Sequence, residues 1–168
     1  MRLASILCVA VGAASPAFAT ELSFSPEATE ACLADATTIG TQADCIGASA
    51  AACYSPEGVY SNYAIGACFA LEADLWDRRL NDAYRALLAV EAELVANVAE
   101  SDIRLPDTAA ALREMQRAWI PYRDAACWYE YTTWGGGTGG GPGNAECLMR
   151  LTGQKALELE ARLKERGE

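Results

Sequence analysis

From Ile65 to Val98 the chain places apolar residues at helical spacing. At 100° per residue, Ile65, Phe69, Trp76, Leu80, Ala83, Leu87, Val90, Leu94 and Val98 fall within about 80° of one another. That stripe predicts one long amphipathic helix over 61–100, with Tyr84, Leu88 and Val95 as a shoulder beside it. A helix that touches two neighbours belongs in a bundle rather than a bare hairpin. Pro106-Asp107-Thr108 opens the next helix, expected to reach Thr133 with a kink or break at Pro121, whose ring clashes with the carbonyl of Arg117. The short connection at Ser101–Leu105 makes the two helices antiparallel neighbours. Leu94 would then face Leu112, Leu87 would face Trp119, Ala83 would face Ala126, and Arg79 would meet Glu130 in a half-buried ion pair.

Before this pair, Ser25-Pro26-Glu27 is a helix entry, with Ser as cap and Pro at the first helical position. A short helix to Ala36 and an alanine-rich one over 42–53 follow, and Ser55-Pro56-Glu57-Gly58 forms a turn. After the pair comes Trp134-Gly135-Gly136-Gly137-Thr138-Gly139-Gly140-Gly141-Pro142-Gly143, a run with maximal backbone freedom. Asn144 caps a last helix to Arg166 with Leu148, Leu151, Leu159 and Leu163 on one side. The predicted fold is all-α, a small disulfide-stapled helical bundle built on a long antiparallel helix pair.

Residues 1–19 stand apart. Arg2, the apolar run Leu3–Val11 and Ala17-Phe18-Ala19 have the charged start, short hydrophobic middle and A-x-A ending of a secretory leader, with cleavage after Ala19. A lipid anchor on Cys8 would need small residues before that cysteine and a longer apolar run. No later stretch approaches the ~20 apolar residues of a membrane span. The expected location is therefore the periplasm or the exterior. The remaining chain divides into a cysteine-containing helical extension, 20–60, and a helical domain, 61–168.

Beyond the leader lie Cys32, Cys45, Cys53, Cys68, Cys127 and Cys147. An even number in an exported chain reads as three disulfides. If helical, Cys45 and Cys53 are ~12 Å apart and cannot bond each other. Cys32 with Cys45 and Cys53 with Cys68 is the preferred set among the three connectivities that four cysteines permit. Cys147, in the first turn of the last helix, is placed to meet Cys127, closing a loop of about 20 residues worth roughly 3 kcal/mol.

The chain has 23 acidic residues against 13 basic ones, a net charge of −10 and no histidine. Losing Arg2 with the leader makes it more negative still. Such a chain repels nucleic acid and anionic membranes and attracts cationic partners. Absent histidine and C-x-x-C spacing exclude the usual zinc and iron sites, and no cofactor is expected. The glycine run lacks the lysine and hydroxyl of a phosphate loop and follows a helix rather than a strand. With Lys155 and Lys164 as the only lysines, most nucleophilic mechanisms lack their parts, and no carboxylate pair is singled out by spacing. An enzyme ranks below a binding protein.

The densest stretch is Gln116-Arg117-Ala118-Trp119-Ile120-Pro121-Tyr122-Arg123-Asp124-Ala125-Ala126-Cys127. Gln116, Arg123 and Glu130 recur inside its apolar face, so they must meet partners from a neighbouring helix or open onto a ligand. With Leu80-Asn81 and Tyr84 before it, and Cys147-Leu148 and Leu151-Thr152 after it, this motif resembles the lysozyme inhibitor LprI-like family of small exported bacterial proteins, over about residues 66–163. The resemblance implies a non-enzymatic protein that blocks the cleft of a cationic lysozyme. Exposed candidates for partner contact are Trp134, with Arg117 and Arg150 toward the ends of the glycine run, and Trp128 and Tyr131 just before it. Asn81, Tyr84, Trp119, Tyr122, Arg123 and Asp124 are expected to hold the helices together. The alternative is an envelope protein that binds peptidoglycan, because Trp128, Tyr129, Tyr131 and Trp134 could equally stack on sugar rings.

Overall fold

The computed structural model describes residues 22–54, 61–98 and 106–167. The expected leader, the expected turn at 55–58 and the expected connection at 101–105 lie outside the described residues. Six helices follow in order: α1 (Glu27–Asp35), α2 (Ile39–Ala43), α3 (Ala48–Tyr54), α4 (Asn62–Val98), α5 (Thr108–Thr133) and α6 (Gly140–Gly167). Among the described residues there is no strand. The all-α, disulfide-stapled bundle is the fold.

The three long helices run up, down and up. Gly66 approaches Pro142 and Trp76 approaches Gly153, Arg79 pairs with Glu160 and Glu91 with Arg166. Residue numbers rise together along both helices, so α4 and α6 are parallel. Between α5 and α6 they run oppositely: Cys127 meets Cys147, Trp119 meets Lys155 and Tyr131 meets Gly140. The most extensive interface joins α4 to α6, not α4 to α5.

This corrects the expected pairing of α4, and the cause is side-chain size. A methyl group on Gly153 would come within 2.9 Å of Ile46 and 3.1 Å of Trp76. Gly153, Thr152 and Ala156, all buried, leave a shallow strip on α6 into which the large residues of α4 sink. Trp76, Leu80, Ala83 and Leu87 of α4 there share a core with Met149, Ala156, Leu157 and Leu159 of α6, and Leu112 of α5 joins them. Leu148, Leu151 and Leu163, expected on the buried side, are only half-buried. Arg79 accordingly does not pair with Glu130. Its Nε and Nη2 donate to the two carboxylate oxygens of Glu160 at 3.0 and 2.9 Å, with the guanidinium over Trp76, while Glu130 is exposed.

Two further boundaries differ. Pro121 does not break α5, which is continuous through it; the proline sits on the exposed side, where water can satisfy the carbonyl freed at Arg117. The expected helix over 42–53 is two helices joined by a turn, because Gly47 takes φ +101° there.

Three disulfides join Cys32 to Cys45, Cys53 to Cys68 and Cys127 to Cys147. The first two tie α1 to the turn after α2, and α3 to α4. The front helices also meet α4 through a buried carboxylate. Glu72, wholly buried, accepts hydrogen bonds from Thr29 Oγ1 (2.9 Å), the Gly47 amide (2.8 Å), the Ala50 amide (2.6 Å) and Trp76 Nε1 (3.0 Å). Thr29 and Ser49 exchange amide-to-hydroxyl bonds beside it, each at 3.0 Å. Both oxygens that burial takes from water are met by fixed donors, three on Oε1 and one on Oε2.

Candidate aromatic binding face

One end of the bundle collects the C-terminus of α5, the glycine turns 134–139 and the N-termini of α4 and α6. Cys127 and Cys147, both buried, clip α5 to α6 with Cα atoms 5.3 Å apart. Beyond the clip the chain turns through Gly135 (φ +55°) and Gly136 (φ +86°), conformations that residues with a Cβ rarely adopt.

The glycines beyond the turn do something other than confer freedom. A methyl group at Gly139 would overlap the six-membered ring of Trp134, and one at Gly143 would lie 2.7 Å from its Nε1. At Gly140 it would come within 3.1 Å of the Tyr131 ring. The run is thus a seat: bare backbone on which Trp134 and Tyr131 lie. Helix α6 begins within it, at Gly140 rather than at Asn144. Asn62 Nδ2 donates to Thr138 Oγ1 at 2.8 Å and ties the seat to the start of α4.

On this base stands a row of exposed aromatics. Trp128 and Tyr131 stack with ring centroids 5.0 Å apart and planes 9° from parallel, although Trp128 is 61% exposed and Tyr131 39%. Trp134 keeps 51% of its surface in solvent and Tyr129 71%. Beside the seat, Asn62, Tyr63, Gly66, Ala67, Thr138, Gly141 and Pro142 line an open groove of about 720 Å³ that is mostly apolar. Tyr63, 84% exposed, stands at its edge. Sequence reasoning passed over Tyr63 because it lies across the helix from the apolar stripe, where an aromatic carries no signal for packing.

Trp128, Tyr131 and Trp134 are therefore brought together. Arg117 and Arg150 are not. Arg117 lies sixteen residues before the end of α5, ~24 Å by helical rise, and Arg150 ten residues into α6, ~15 Å. Both are exposed, and among the described residues Arg117 has Glu114 at 4.0 Å as its acidic neighbour.

The motif residues sit mid-bundle. Arg123 Cζ lies 5.1 Å from the Trp119 ring centroid and Lys155 Nζ 6.0 Å. Asp124 pairs with Arg123 at 2.7 Å and Glu158 with Lys155 at 2.6 Å. Each cation is thus neutralised while it packs on the indole, which joins α5 to α6. Asn81 donates to the carbonyl and carboxylate of Asp77, both at 2.9 Å. Tyr84 packs against the core. Tyr122 instead points to solvent, 64% exposed. Gln116 is buried with Oε1 unpartnered.

The seat carries a prediction. Gly139→Ala should unseat Trp134, shifting tryptophan fluorescence to the red and lowering stability by about 1–3 kcal/mol, the usual cost of overpacking. Gly141→Ala, where the added methyl meets nothing within 4 Å, should instead be neutral or gain up to about 1 kcal/mol of helix propensity. Urea unfolding of the two variants side by side checks both signs.

Among the described residues no helix is long and apolar enough to cross a membrane. No solved structure matches the chain. A Rhodobacter capsulatus protein described as an uncharacterized 17.7 kDa protein in the puhA 5′ region is 30% identical over 137 residues, 79% of this chain and 83% of its own length. The description "Lysozyme inhibitor LprI" matches residues 53–159, from the first cysteine of the α3–α4 clip to the last large core residue of α6. With its Trp119 helix motif and Cys127–Cys147 clip inside that span, the chain belongs to the lysozyme inhibitor LprI family.

Proposed function

We propose that the protein is exported and binds a cationic lysozyme, blocking its cleft with the aromatic face at the glycine-turn end. Family membership supplies the class of activity. The observation that selects this face is the exposed stack of Trp128 on Tyr131, with Trp134 fixed beside it. Large apolar rings held open to water are hot-spot material, rigid before the partner arrives. A lysozyme cleft is shaped for sugar rings and contains two catalytic carboxylates. A flat aromatic pair can occupy a sugar subsite without adding another negative charge next to those acids. The net charge of −10 steers a cationic enzyme toward the chain and raises the association rate more than the affinity. Arg117 and Arg150, remote from this face, have no part in it.

The test is residual lysozyme activity against increasing oxidised protein at low and moderate salt. Expected is stoichiometric inhibition that weakens as salt rises. Trp128→Ala should raise the inhibition constant roughly 30-fold, about 2 kcal/mol, whereas Arg150→Ala should leave it unchanged. No inhibition at large molar excess would sink the pairing. Retention on insoluble peptidoglycan, lost in Trp128→Ala, would then favour an envelope-binding protein whose aromatics stack on sugars.

A further inference from the structure

On the side of α5 turned away from the core, uncharged residues repeat in heptads. Tyr122 and Tyr129, 64% and 71% exposed, stand seven residues apart, with the half-buried Met115 seven before them. Ala111, Ala118, Ala125 and Thr132, all exposed, fall between these large residues at spacings of four and three. At 100° per residue the whole seam spans about 100°, and its centre lies about 140° around α5 from the buried row of Leu112, Gln116 and Cys127. No charged side chain falls in it. Along α5, Arg113, Arg117 and Arg123 balance Glu114, Asp124 and Glu130, so the strong negative charge of the chain resides on other elements. Thr132 Oγ1 donates to the Tyr129 carbonyl at 2.7 Å, and its hydroxyl therefore loses nothing when covered.

We propose that this seam pairs with the same seam of a second copy of the chain, the two α5 helices antiparallel. The alternation of sizes selects that occupant. In antiparallel register Tyr122 meets the partner's Ala125, Tyr129 meets the partner's Ala118 and Met115 meets the partner's Thr132, and the two-fold axis repeats each contact in reverse. Every layer then sets a large side chain over a small one, knob into hole. Parallel pairing would oppose tyrosine to tyrosine and alanine to alanine, giving crowding and gaps in turn. Like-charge repulsion is also least here, where each surface is uncharged. Each of the pair's four tyrosines exposes about two-thirds of a side chain able to bury ~150–250 Å² and hides a similar patch of its partner, so the seam covers roughly 800–1,300 Å². That is the lower edge of the ~1,200–2,000 Å² of stable interfaces, as expected of a dimer that dissociates on dilution. Trp128 lies about 90° around α5 from the centre of the seam and Tyr131 about 150°. Pairing thus leaves their stack open and does not depend on lysozyme binding.

The experiment is sedimentation equilibrium of the oxidised protein from low micromolar to submillimolar concentration, where a monomer–dimer equilibrium is expected. Ala125→Glu puts a carboxylate in the middle of the seam, at a position exposed in the single chain, and should raise the dissociation constant at least roughly tenfold. Arg117→Ala makes the same change in net charge outside the seam and should leave it unaltered. Exchanging sizes tests the register. Ala118→Tyr should weaken pairing about tenfold by collision with the partner's Tyr129, and adding Tyr129→Ala should restore it to within about threefold, since large again meets small. Ala118, Ala125 and Tyr129 are exposed in the single chain, so the helix content of every variant should match the parent by circular dichroism. A monomer at every concentration would overturn the pairing and leave the seam to a different protein. A dimer indifferent to Ala125→Glu, or an exchange that restores nothing, would overturn it as well.

Discussion

Glu72→Ala should lower the unfolding free energy by about 3–5 kcal/mol. The carboxylate is wholly buried and serves four donors from three parts of the chain: the Thr29 hydroxyl in α1, the Gly47 and Ala50 amides around the start of α3, and the Trp76 indole on α4. Alanine leaves them facing a cavity, each unpaired group costing about 1–3 kcal/mol before water relieves part of it. Glu72→Gln should cost less, since its oxygen still accepts while its NH₂ confronts the Ala50 amide, donor against donor. Urea unfolding of the oxidised proteins measures both. A loss below about 1 kcal/mol for the alanine variant would mean that the disulfides alone hold the front helices in place.

Replacing Cys127 and Cys147 together by alanine should cost about 2–4 kcal/mol. The bond closes a loop with a sequence separation of 20, and this loop contains five consecutive residues, 135 to 139, of which four are glycine. A chain so rich in glycine has more unfolded conformations to lose, so the cross-link removes more entropy than an average loop of that length would. The same change should loosen the seat of Trp134, seen as weaker near-ultraviolet circular dichroism from tryptophan and faster proteolysis within 134–139. Unchanged near-ultraviolet signal would show that Gly139, Gly143 and the Asn62–Thr138 bond fix the seat unaided. Under the proposed function, inhibition should fall with the aromatic order rather than with global stability, as long as the variant is folded at assay temperature.

Much of this architecture was legible beforehand because it is local. The Ile65–Val98 stripe needs only the 3.6-residue period, and α4 runs almost where the period put it. The even cysteine count and the leader-like start announced disulfides. The aromatic cluster before the glycine run was visible as composition. The glycine run was read as freedom, however, since nothing in ten residues of sequence reveals that Trp134 folds back onto Gly139 and Gly143. Arg117 and Arg150 look adjacent to the run in sequence terms, yet a helix converts those few residues into distances of ~15–24 Å. Glu72 lies at the edge of the stripe, at the same angle as Val90, but a single acid at that edge reads as a solvated surface residue until its donors are in place.

What the sequence determined by itself is the three long helices, the presence of cross-links, the acidic charge and the motif of the family, since each depends on neighbours within a few turns or on simple counting. Which helix α4 lies against, that Arg79 meets Glu160 rather than Glu130, that Glu72 and Glu91 are buried, and that a glycine run forms a seat were decided only in three dimensions. The physical reason is that periodicity shows which face of a helix is apolar but not how deep that face is. Depth is set by Gly153 and Ala156 meeting Trp76 across α4 and α6, and that meeting joins residues far apart in the chain.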